Sequence, residues 1–276
     1  MTTQFLKKIY ATHQECTTCP SPTDVAAFFD KLLGALFADF TQLAHLSEAE
    51  FMELMKQLQR DLDRLLQQSP SQLGKVSQVT QAFFDSIPTI YDLIQDDVTG
   101  IYEGDPAAKD RSQVIRSYPG FYAIAAYRFA HRLHRLGVED LPRIITEYAH
   151  SRTGIDIHPS ATIGSHFCID HGTGIVVGAT TVIGNHVKIY QNVTLGAISV
   201  NKEDAAIKRH PTIEDHVVIY SGATILGGKT VIGRGSVIGG NVWLTRSVPP
   251  DSKVYYQSRM YNDASKDTDL IIHKTN

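Results

Sequence analysis

Hydrophobic residues in the first half of the chain recur at steps of three and four positions. The first run comprises Phe28, Phe29, Leu32, Leu33, Leu36 and Phe40, and the second comprises Phe51, Leu54, Met55, Leu58, Leu62 and Leu65. Such steps place the apolar side chains on one face of an α-helix, so the pattern predicts two amphipathic helices. The second helix ends before Ser69-Pro70-Ser71, where proline interrupts the periodicity.

Another helix is predicted after Pro119, with its apolar face formed by Phe121, Ile124, Ala125 and Phe129. Its last turn carries His131, Arg132, His134 and Arg135, and Gly137 follows. Cations in the last turn and a glycine just beyond it are typical of a helix C-terminus. We therefore interpret this basic stretch as a solvated helix end rather than as a nucleic-acid site.

The second half of the chain has a six-residue period. Aliphatic residues six apart include Ile157, Ile163, Ile169 and Ile175, then Val177, Ile183, Ile189 and Leu195, then Ile213, Ile219, Ile225, Val231 and Val237. Glycine often follows the aliphatic residue, and 14 of the 20 glycines lie between Gly154 and Gly240. Hexapeptide spacing is the signature of a parallel β-helix, in which short strands alternate with tight turns.

The period is interrupted once, between Leu195 and Ile213. The intervening segment Ala197–Lys208 is polar and predicts a loop extruded from one corner of the β-helix. The predicted fold class is therefore α+β, with an N-terminal α-helical domain followed by a left-handed parallel β-helix with an extruded loop. Its divisions are residues 1–150, 151–250 and a C-terminal tail, 251–276.

The composition and charge of the chain exclude several classes of protein. The chain has 29 acidic and 26 basic residues among 276, a net charge of −3, and therefore no basic field for nucleic acid or an anionic membrane. It contains no 18-residue apolar run and no recognisable signal peptide, and three cysteines do not make a disulfide framework. These features favour a soluble cytoplasmic protein. Cys16 and Cys19 have the spacing of a zinc or redox pair, but we interpret them as part of an N-terminal segment with neither role.

Three polar clusters at predicted turns carry the candidate chemistry: Asp156-Ile-His-Pro, Asp170-His-Gly-Thr-Gly and Arg209-His-Pro. A histidine with a carboxylate partner is the usual general base. Asp156 and His171 are separated by slightly less than one coil of the predicted β-helix, so they are candidates for such a pair. Arg209 and His210 are candidates for holding a substrate carboxylate.

These clusters resemble the serine O-acetyltransferases of the hexapeptide-repeat acyltransferase superfamily. The resemblance rests on the runs DIHPSATIG, IDHGTGIVVGATTVIG, VTLGA and RHPTI within residues 156–213, and on Asp105-Pro-Ala upstream. It covers roughly residues 90–250. It implies acetyl transfer from acetyl-CoA, as cosubstrate, to the hydroxyl of L-serine, without a metal or a covalent enzyme intermediate.

The resemblance also assigns roles. It implies that His171 is the general base and that Asp156 orients its imidazole ring. The serine carboxylate would be held by Arg209 and His210, and the ammonium group by Asp105 and Asp170. The residues implied to bind coenzyme A are Gly196, Ala197, Gly222 and Ala223.

The implied assembly is a homotrimer, or a hexamer, with the active site between neighbouring chains. The product would feed cysteine synthesis, and cysteine inhibits many members of the family. The resemblance also implies O-acetylserine sulfhydrylase as a candidate partner, although the sequence ends Lys274-Thr275-Asn276 and lacks the C-terminal isoleucine through which the family docks.

Some positions depart from the family pattern and leave other functions open. Lys208 and the long loop before Arg209 leave open another acceptor, such as phosphoserine, homoserine or a sugar. Separately, tyrosines follow Pro250, where the resemblance implies the coenzyme A channel. A second alternative is a zinc hydrolyase of the γ-carbonic-anhydrase kind, with His166 and His171 as ligands. A third is a non-enzymatic trimeric scaffold.

Overall fold

The computed structural model describes residues 1–15, 20–69, 72, 74–198, 207–256, 259–261 and 268–270. Helices occupy the N-terminal part of these residues: α1 Thr3–Glu15, α2 Pro22–Leu36, α3 Glu48–Gln67, α4 Val76–Asp85, α5 Ile87–Gly104, α6 Arg111–Ser117, α7 Pro119–Arg135 and α8 Asp140–Thr153. The pair Cys16 and Cys19 lies outside the described residues, as do positions 199–206 and 271–276.

The helices predicted from periodicity are confirmed as α2, α3 and α7. Ser47 begins α3 with a capping box, because its hydroxyl accepts a hydrogen bond from the Glu50 N–H while the Glu50 carboxylate accepts one from the Ser47 N–H. The apolar face of α3 buries Leu58, Leu62 and Leu65. Local capping and the three-to-four spacing together explain why this segment is helical.

Short parallel strands follow the helices and form a solenoid. They are β1 Asp156–Ile157, β2 Thr162–Ile163, β3 Cys168–Asp170, β4 Val176–Val177, β5 Val182–Ile183, β6 Lys188–Tyr190, β7 Thr194–Gly196, β8 Thr212–Ile213, β9 Val218–Ile219, β10 Thr224–Leu226, β11 Val231–Ile232, β12 Val237–Ile238, β13 Trp243–Leu244 and β14 Lys253–Val254. An antiparallel pair, β15 Arg259–Tyr261 and β16 Thr268–Leu270, comes after them.

The solenoid has three faces, each a stack of parallel strands. The first face has the order β1-β4-β7-β10-β13, the second β11-β8-β5-β2, and the third β14-β12-β9-β6-β3. Hexad residues stack in register along each face, as in the series Ile157, Val177, Leu195 and Ile225, all buried. The prediction of a parallel β-helix after N-terminal helices is confirmed.

The register also locates the extra chain of the predicted loop. Ile183 pairs with Ile163 in the preceding coil and with Ile213 in the following one, and the second interval along the sequence is the longer. The additional residues leave the solenoid between β7 and β8, where the interruption of the hexads predicts a loop. Its interior, 199–206, lies outside the described residues.

A buried ion pair attaches the helices to the first coil. Arg128 of α7 donates to both carboxylate oxygens of Asp97 of α5, at 2.8 and 2.9 Å, and also to the Ile163 and Gly164 carbonyls of the solenoid. The Asp97 Oδ1 atom also accepts the Phe167 N–H at 2.9 Å. Both charged groups thus have several hydrogen-bond partners, as burial requires.

Glycines allow α5 to lie directly against the solenoid. A Cβ atom at Gly100 would be 2.7 Å from the His166 carbonyl oxygen, and one at Gly104 would be 2.7 Å from the Cys168 Sγ atom. The two glycines lie one helical turn apart, on one face of the helix. The C-terminal end of α5 is consequently placed beside β3.

In the part of the chain that the structure describes, no helix has the length and apolar character needed to cross a membrane.

Arg128→Met is expected to lower the free energy of unfolding by about 3–5 kcal/mol, because it leaves the Asp97 carboxylate buried without its partner. Denaturant unfolding followed by circular dichroism measures this loss. Arg60→Met is the control, since Arg60 pairs with Glu53 at the surface and its loss should cost about 1 kcal/mol or less. Equal losses in the two variants would show that the buried pair does not hold the helices to the solenoid.

Candidate active site

Asp105 lies where α5 ends, and two hydrogen bonds orient its carboxylate. The Tyr118 hydroxyl donates to Oδ2 at 2.6 Å, and the Ala107 N–H donates to Oδ1 at 2.8 Å. These bonds lower the pKa of Asp105, with Tyr118 the larger cause, and the same bond raises the pKa of Tyr118 to about 12. Asp105 is therefore a fixed negative charge at neutral pH.

Asp170 and His171 lie at the end of β3, near Asp105 and its partner Tyr118. The Asp170 carboxylate is largely buried and forms an ion pair with Lys188, Nζ to Oδ2, at 3.0 Å. His171 is 72% exposed, and its Nε2 atom is 3.7 Å from the Asp170 Oδ1 atom. We call Asp105, Tyr118, Asp170, His171 and Lys188 the carboxylate cluster.

The His171 backbone explains why its side chain is exposed. Its φ angle is 59°, in the left-handed region, so the chain turns sharply between β3 and β4. An imidazole directed away from the solenoid into solvent can meet a substrate without an opening motion. The nearest ion-pair partner of its ring in this chain is Asp170.

His210 is held at a different corner of the solenoid, and its tautomer is determined by its partners. Its Nδ1 atom accepts hydrogen bonds from the Thr180 N–H at 3.1 Å and the Thr180 hydroxyl at 2.9 Å. Because Nδ1 accepts, the neutral ring carries its proton on Nε2. The Thr180 hydroxyl also accepts the N–H groups of Arg209 and His210, at 2.9 and 3.1 Å, so one threonine orders this segment.

Gly178 provides the space that the His210 ring occupies. A Cβ atom at Gly178 would be 1.9 Å from the His210 Cδ2 atom and 2.1 Å from its Nε2 atom. Any side chain at position 178 would therefore displace the imidazole. This requirement for glycine is steric, since the structure records no positive φ there.

His158 lies at the same corner and has the same kind of partners. Its Nδ1 atom accepts the Ser160 N–H at 3.1 Å and lies 2.7 Å from the Ser160 hydroxyl. Burial, and then the positive charge of Arg143, lower the pKa of His158 to about 4, while burial and Arg209 do the same for His210. Both rings are therefore neutral hydrogen-bonding groups near pH 7.

Asp156 lies on β1 and belongs with this second group. Its Oδ1 atom is 3.7 Å from the Arg143 Nη1 atom, and the charge of Arg143 lowers the pKa of His158. We call Asp156, His158, Arg209 and His210 the basic corner. The structure pairs Asp156 with Val176 across β1 and β4, whereas His171 lies in the turn before β4.

The expected pair of Asp156 and His171 is therefore not formed within one chain. Among the described residues, neither a hydrogen bond nor an ion pair joins them, and their ion-pair partners are Arg143 and Asp170 respectively. A full coil from Asp156 ends at its stacking partner Val176, so the chain at His171 is still at another corner. The roles assigned to both residues remain predictions.

The two histidines of the zinc hypothesis are also apart. His166 lies before β3 and His171 after it, so an extended strand separates them. The His166 ring stacks instead on His186, with ring centroids 4.3 Å apart. A different group, Glu147, His150 and Asp156, has ligand atoms within 4.8 Å of one another, but Arg143 already forms ion pairs with its two carboxylates.

The residues expected to bind coenzyme A differ in accessibility. Gly196 and Ala197 are partly exposed at the end of β7, where the loop leaves the solenoid, and Gly222 has a φ of 74° in a turn. Ala223 is completely buried, and its N–H and carbonyl are bonded to Tyr220 and Thr194. The Ala223 methyl group is therefore part of the solenoid interior, and the geometry supports no direct contact with a ligand there.

Three polar residues of the site were missed by sequence reasoning: Tyr118, Thr180 and Lys188. Strand alternation would have indicated that Lys188 faces outward, but no local pattern shows which groups it reaches. Tyr118 and Thr180 carry no motif signal. They are recognised only from the side chains that they touch.

Comparison with known proteins shows similarity to serine acetyltransferases. Residues 36–126 match the family model described as "Serine acetyltransferase, N-terminal". A plasmid-encoded serine acetyltransferase of Synechococcus elongatus is 53% identical over 181 residues, which cover 64% of this chain and 56% of that protein. The serine acetyltransferase of Bacillus subtilis is 45% identical over 123 residues, covering 45% of this chain and 55% of that protein. The chain thus spans about half the length of the curated relatives it matches.

Solved structures extend the similarity over most of the chain. Serine acetyltransferase 1 of Entamoeba histolytica, in complex with L-cysteine, is 37% identical with a TM-score of 0.76, covering 83% of this chain and 86% of that one. The enzyme of Neisseria gonorrhoeae, in complex with serine, is 31% identical with a TM-score of 0.59, covering 76% of this chain and 88% of that one.

The stability of the protein is expected to fall as the pH is lowered from about 6.5 to about 4. In the unfolded chain His158 and His210 bind protons near pH 6.5, whereas in the folded chain their pKa values are about 4, so acid in this window favours unfolding. Urea unfolding at several pH values measures the slope. It should be shallower in His158→Gln and His210→Gln, and an unchanged slope in both variants would contradict the assignment.

Proposed function

The chain belongs to the serine acetyltransferase family, and we propose that it transfers the acetyl group of acetyl-CoA to the hydroxyl of L-serine. The products are O-acetylserine and CoA, and the reaction is a step towards cysteine. The observation that carries the proposal is a pair of oppositely charged groups, the carboxylate cluster where α5 meets the solenoid and the basic corner of the solenoid itself. They match the ammonium and the carboxylate of a free amino acid.

The carboxylate cluster suits the ammonium group of the acceptor. Asp105 and Asp170 are both ordered, and the low pKa of Asp105 keeps it charged at neutral pH. A primary ammonium group donates three hydrogen bonds and accepts none, so two carboxylates satisfy it. His171 lies beside Asp170, where it would meet the hydroxyl of an acceptor bound in this way.

The basic corner suits the acceptor carboxylate. Arg209 supplies a permanent charge and His210 a neutral Nε2 donor, because its Nδ1 atom is occupied by Thr180. The neutral ring also fits the pKa of about 4. Arginine and a neutral imidazole donor together bind a carboxylate without bringing in a second titrating cation.

The carboxylate cluster and the basic corner lie at different corners of one chain, so a single chain does not bring them together around one acceptor. We propose that the carboxylate cluster of one chain faces the basic corner of a neighbouring chain in a homotrimer. In that arrangement Asp156 comes to His171 from the neighbour, together with Arg209 and His210. The separation of the two groups within one chain supports this arrangement.

The chemistry needs one base and no covalent enzyme intermediate. His171 removes the hydroxyl proton as the serine oxygen attacks the thioester carbonyl carbon of acetyl-CoA. The resulting tetrahedral intermediate collapses with loss of the CoA thiolate, which takes the proton back from the imidazolium. Asp170 at 3.7 Å and Asp156 from the neighbour would stabilise the imidazolium between these steps.

Lys208, in the described part of the loop, is the residue that raised the question of another acceptor. The Lys208 ammonium group donates to the carbonyls of Thr180 and Pro211, at 2.7 and 3.1 Å. It thus helps to hold the basic corner together. The lysine therefore has a use in a serine-binding corner and is not by itself a sign of a different acceptor.

We expect purified protein to release CoA from acetyl-CoA in a saturable manner when L-serine is added. O-phospho-L-serine, L-homoserine and a panel of sugars, added one at a time, should give little or no release. A thiol reagent that detects free CoA measures the rate. Release with another acceptor and not with L-serine would contradict the proposed substrate.

The matched variants are His171→Ala and His216→Ala, because both histidines lie in turns at a φ near 60°. Loss of the base should lower kcat about 10²–10⁴-fold in His171→Ala. The His216→Ala control should retain activity, since His216 stacks on His186 away from both groups. Full turnover in His171→Ala would remove His171 from its role.

Gly178→Ala is expected to raise the KM for L-serine about tenfold, because the new methyl group displaces the His210 ring and weakens its hydrogen bond to the carboxylate. The KM for acetyl-CoA should change little. Steady-state kinetics with each substrate varied gives the comparison. An unchanged KM for L-serine would mean that His210 does not hold the acceptor.

A further inference from the structure

We propose that Lys188 is a positioning residue that fixes both carboxylates of the ammonium site and thereby determines the affinity for the acceptor. The positioning part rests on geometry alone, and the effect on serine rests on the proposed function. Lys188 lies on β6, in register with Cys168 of β3, and only 16% of its side chain is exposed.

The Lys188 ammonium group joins three elements. It donates to the Gly104 carbonyl of α5 at 2.6 Å, forms an ion pair with Asp170 of β3 at 3.0 Å, and lies 4.4 Å from the centre of the Tyr190 ring. Burial lowers its pKa, but hydrogen bonds to Tyr190 and Asp170 outweigh burial, so the pKa of Lys188 is raised. The group is therefore a buried, permanent cation.

The contact with Gly104 positions Asp105. Carbonyls in the last turn of a helix have no partner within the helix, and a cation there satisfies both the carbonyl and the helix dipole. Gly104 is the last residue of α5, and Asp105 follows it directly. Lys188 therefore anchors the backbone immediately before one ammonium-binding carboxylate.

The close approach depends on the absence of a side chain at Gly104. A Cβ atom there would be 2.7 Å from the Cys168 Sγ atom and 3.6 Å from the Lys188 Cδ atom. Gly104 thus leaves room for the Lys188 side chain. The two residues form one contact between the helices and the solenoid.

The contact with Asp170 orients the second carboxylate. Lys188 occupies Oδ2, and Oδ1 is the oxygen that lies 3.7 Å from His171. Both side chains are mostly buried, so solvent and salt screen the pair less than a surface pair. With one cation between two carboxylates, the cluster keeps a net charge of −1, which one acceptor ammonium group neutralises.

The test compares Lys188→Met, which removes the charge, with Lys188→Arg, which keeps it. Lys56→Met is the control, because Lys56 is exposed on α3, a helix that packs on α2 and α4 and contributes no residue to either group. We expect Lys188→Met to raise the KM for L-serine about tenfold or more, the usual effect of losing a hydrogen bond to a charged group. The KM for acetyl-CoA should stay within about twofold, and Lys188→Arg should recover part of the loss.

Hydrogen exchange provides a measurement that does not depend on activity. If Lys188 anchors Gly104, the amides of residues 101–108 should exchange faster in Lys188→Met than in the wild-type protein or in Lys56→Met. Mass spectrometry of peptides from this segment reports the difference. Unchanged exchange there would overturn the positioning role.

The two measurements separate the possible failures. Faster exchange with an unchanged KM for L-serine would make Lys188 a structural contact only, and the proposal would be wrong. A wild-type protein that releases no CoA with L-serine would overturn the proposed function and the effect on serine together. Exchange alone would then decide whether Lys188 positions the segment before Asp105.

Discussion

The buried ion pair between Asp97 and Arg128 is the interaction on which the active-site geometry depends. It joins α5 to α7, and its spare hydrogen-bonding groups reach the Ile163, Gly164 and Phe167 backbone of the first coil. A paired charge inside a protein must keep all its partners, because an unpaired one is strongly destabilising. The helices are therefore held in one position on the solenoid, and the end of α5 has to lie beside β3.

From that anchor the site follows as a series of contacts along α5. Gly100 and Gly104 let the helix approach the solenoid, Lys188 receives the Gly104 carbonyl, and Asp105 emerges next to Asp170. The proposed general base is supplied by a turn of the solenoid, whereas one proposed acceptor-binding carboxylate is supplied by a helix. Substrate binding would thus be coupled to the packing of the helical part against the solenoid.

The opposite charges of the site are kept on separate corners, and this separation has a physical advantage. If Arg209 lay beside Asp105 or Asp170 in one chain, the ion pair between them would have to be broken before an amino acid could bind. Stiff coils hold the two groups apart, and neutral imidazoles at His158 and His210 avoid further repulsion around Arg209. In the proposed trimer, a second chain would bring the groups together and leave room between them for the acceptor.

The sequence by itself predicted α2, α3 and α7, the parallel β-helix and the family, because these depend on local periodicity and on ordered motifs. It also identified Asp105, Asp170, His171, Arg209 and His210 as candidates. Only the tertiary structure showed that Asp156 and His171 lie apart in one chain, because a full coil from Asp156 ends at Val176 and His171 is at another corner. It alone showed that Lys188 of β6 reaches Gly104 of α5, and that Thr180 sets the His210 tautomer. Such contacts arise from packing between distant segments, which leaves no periodic pattern in the chain.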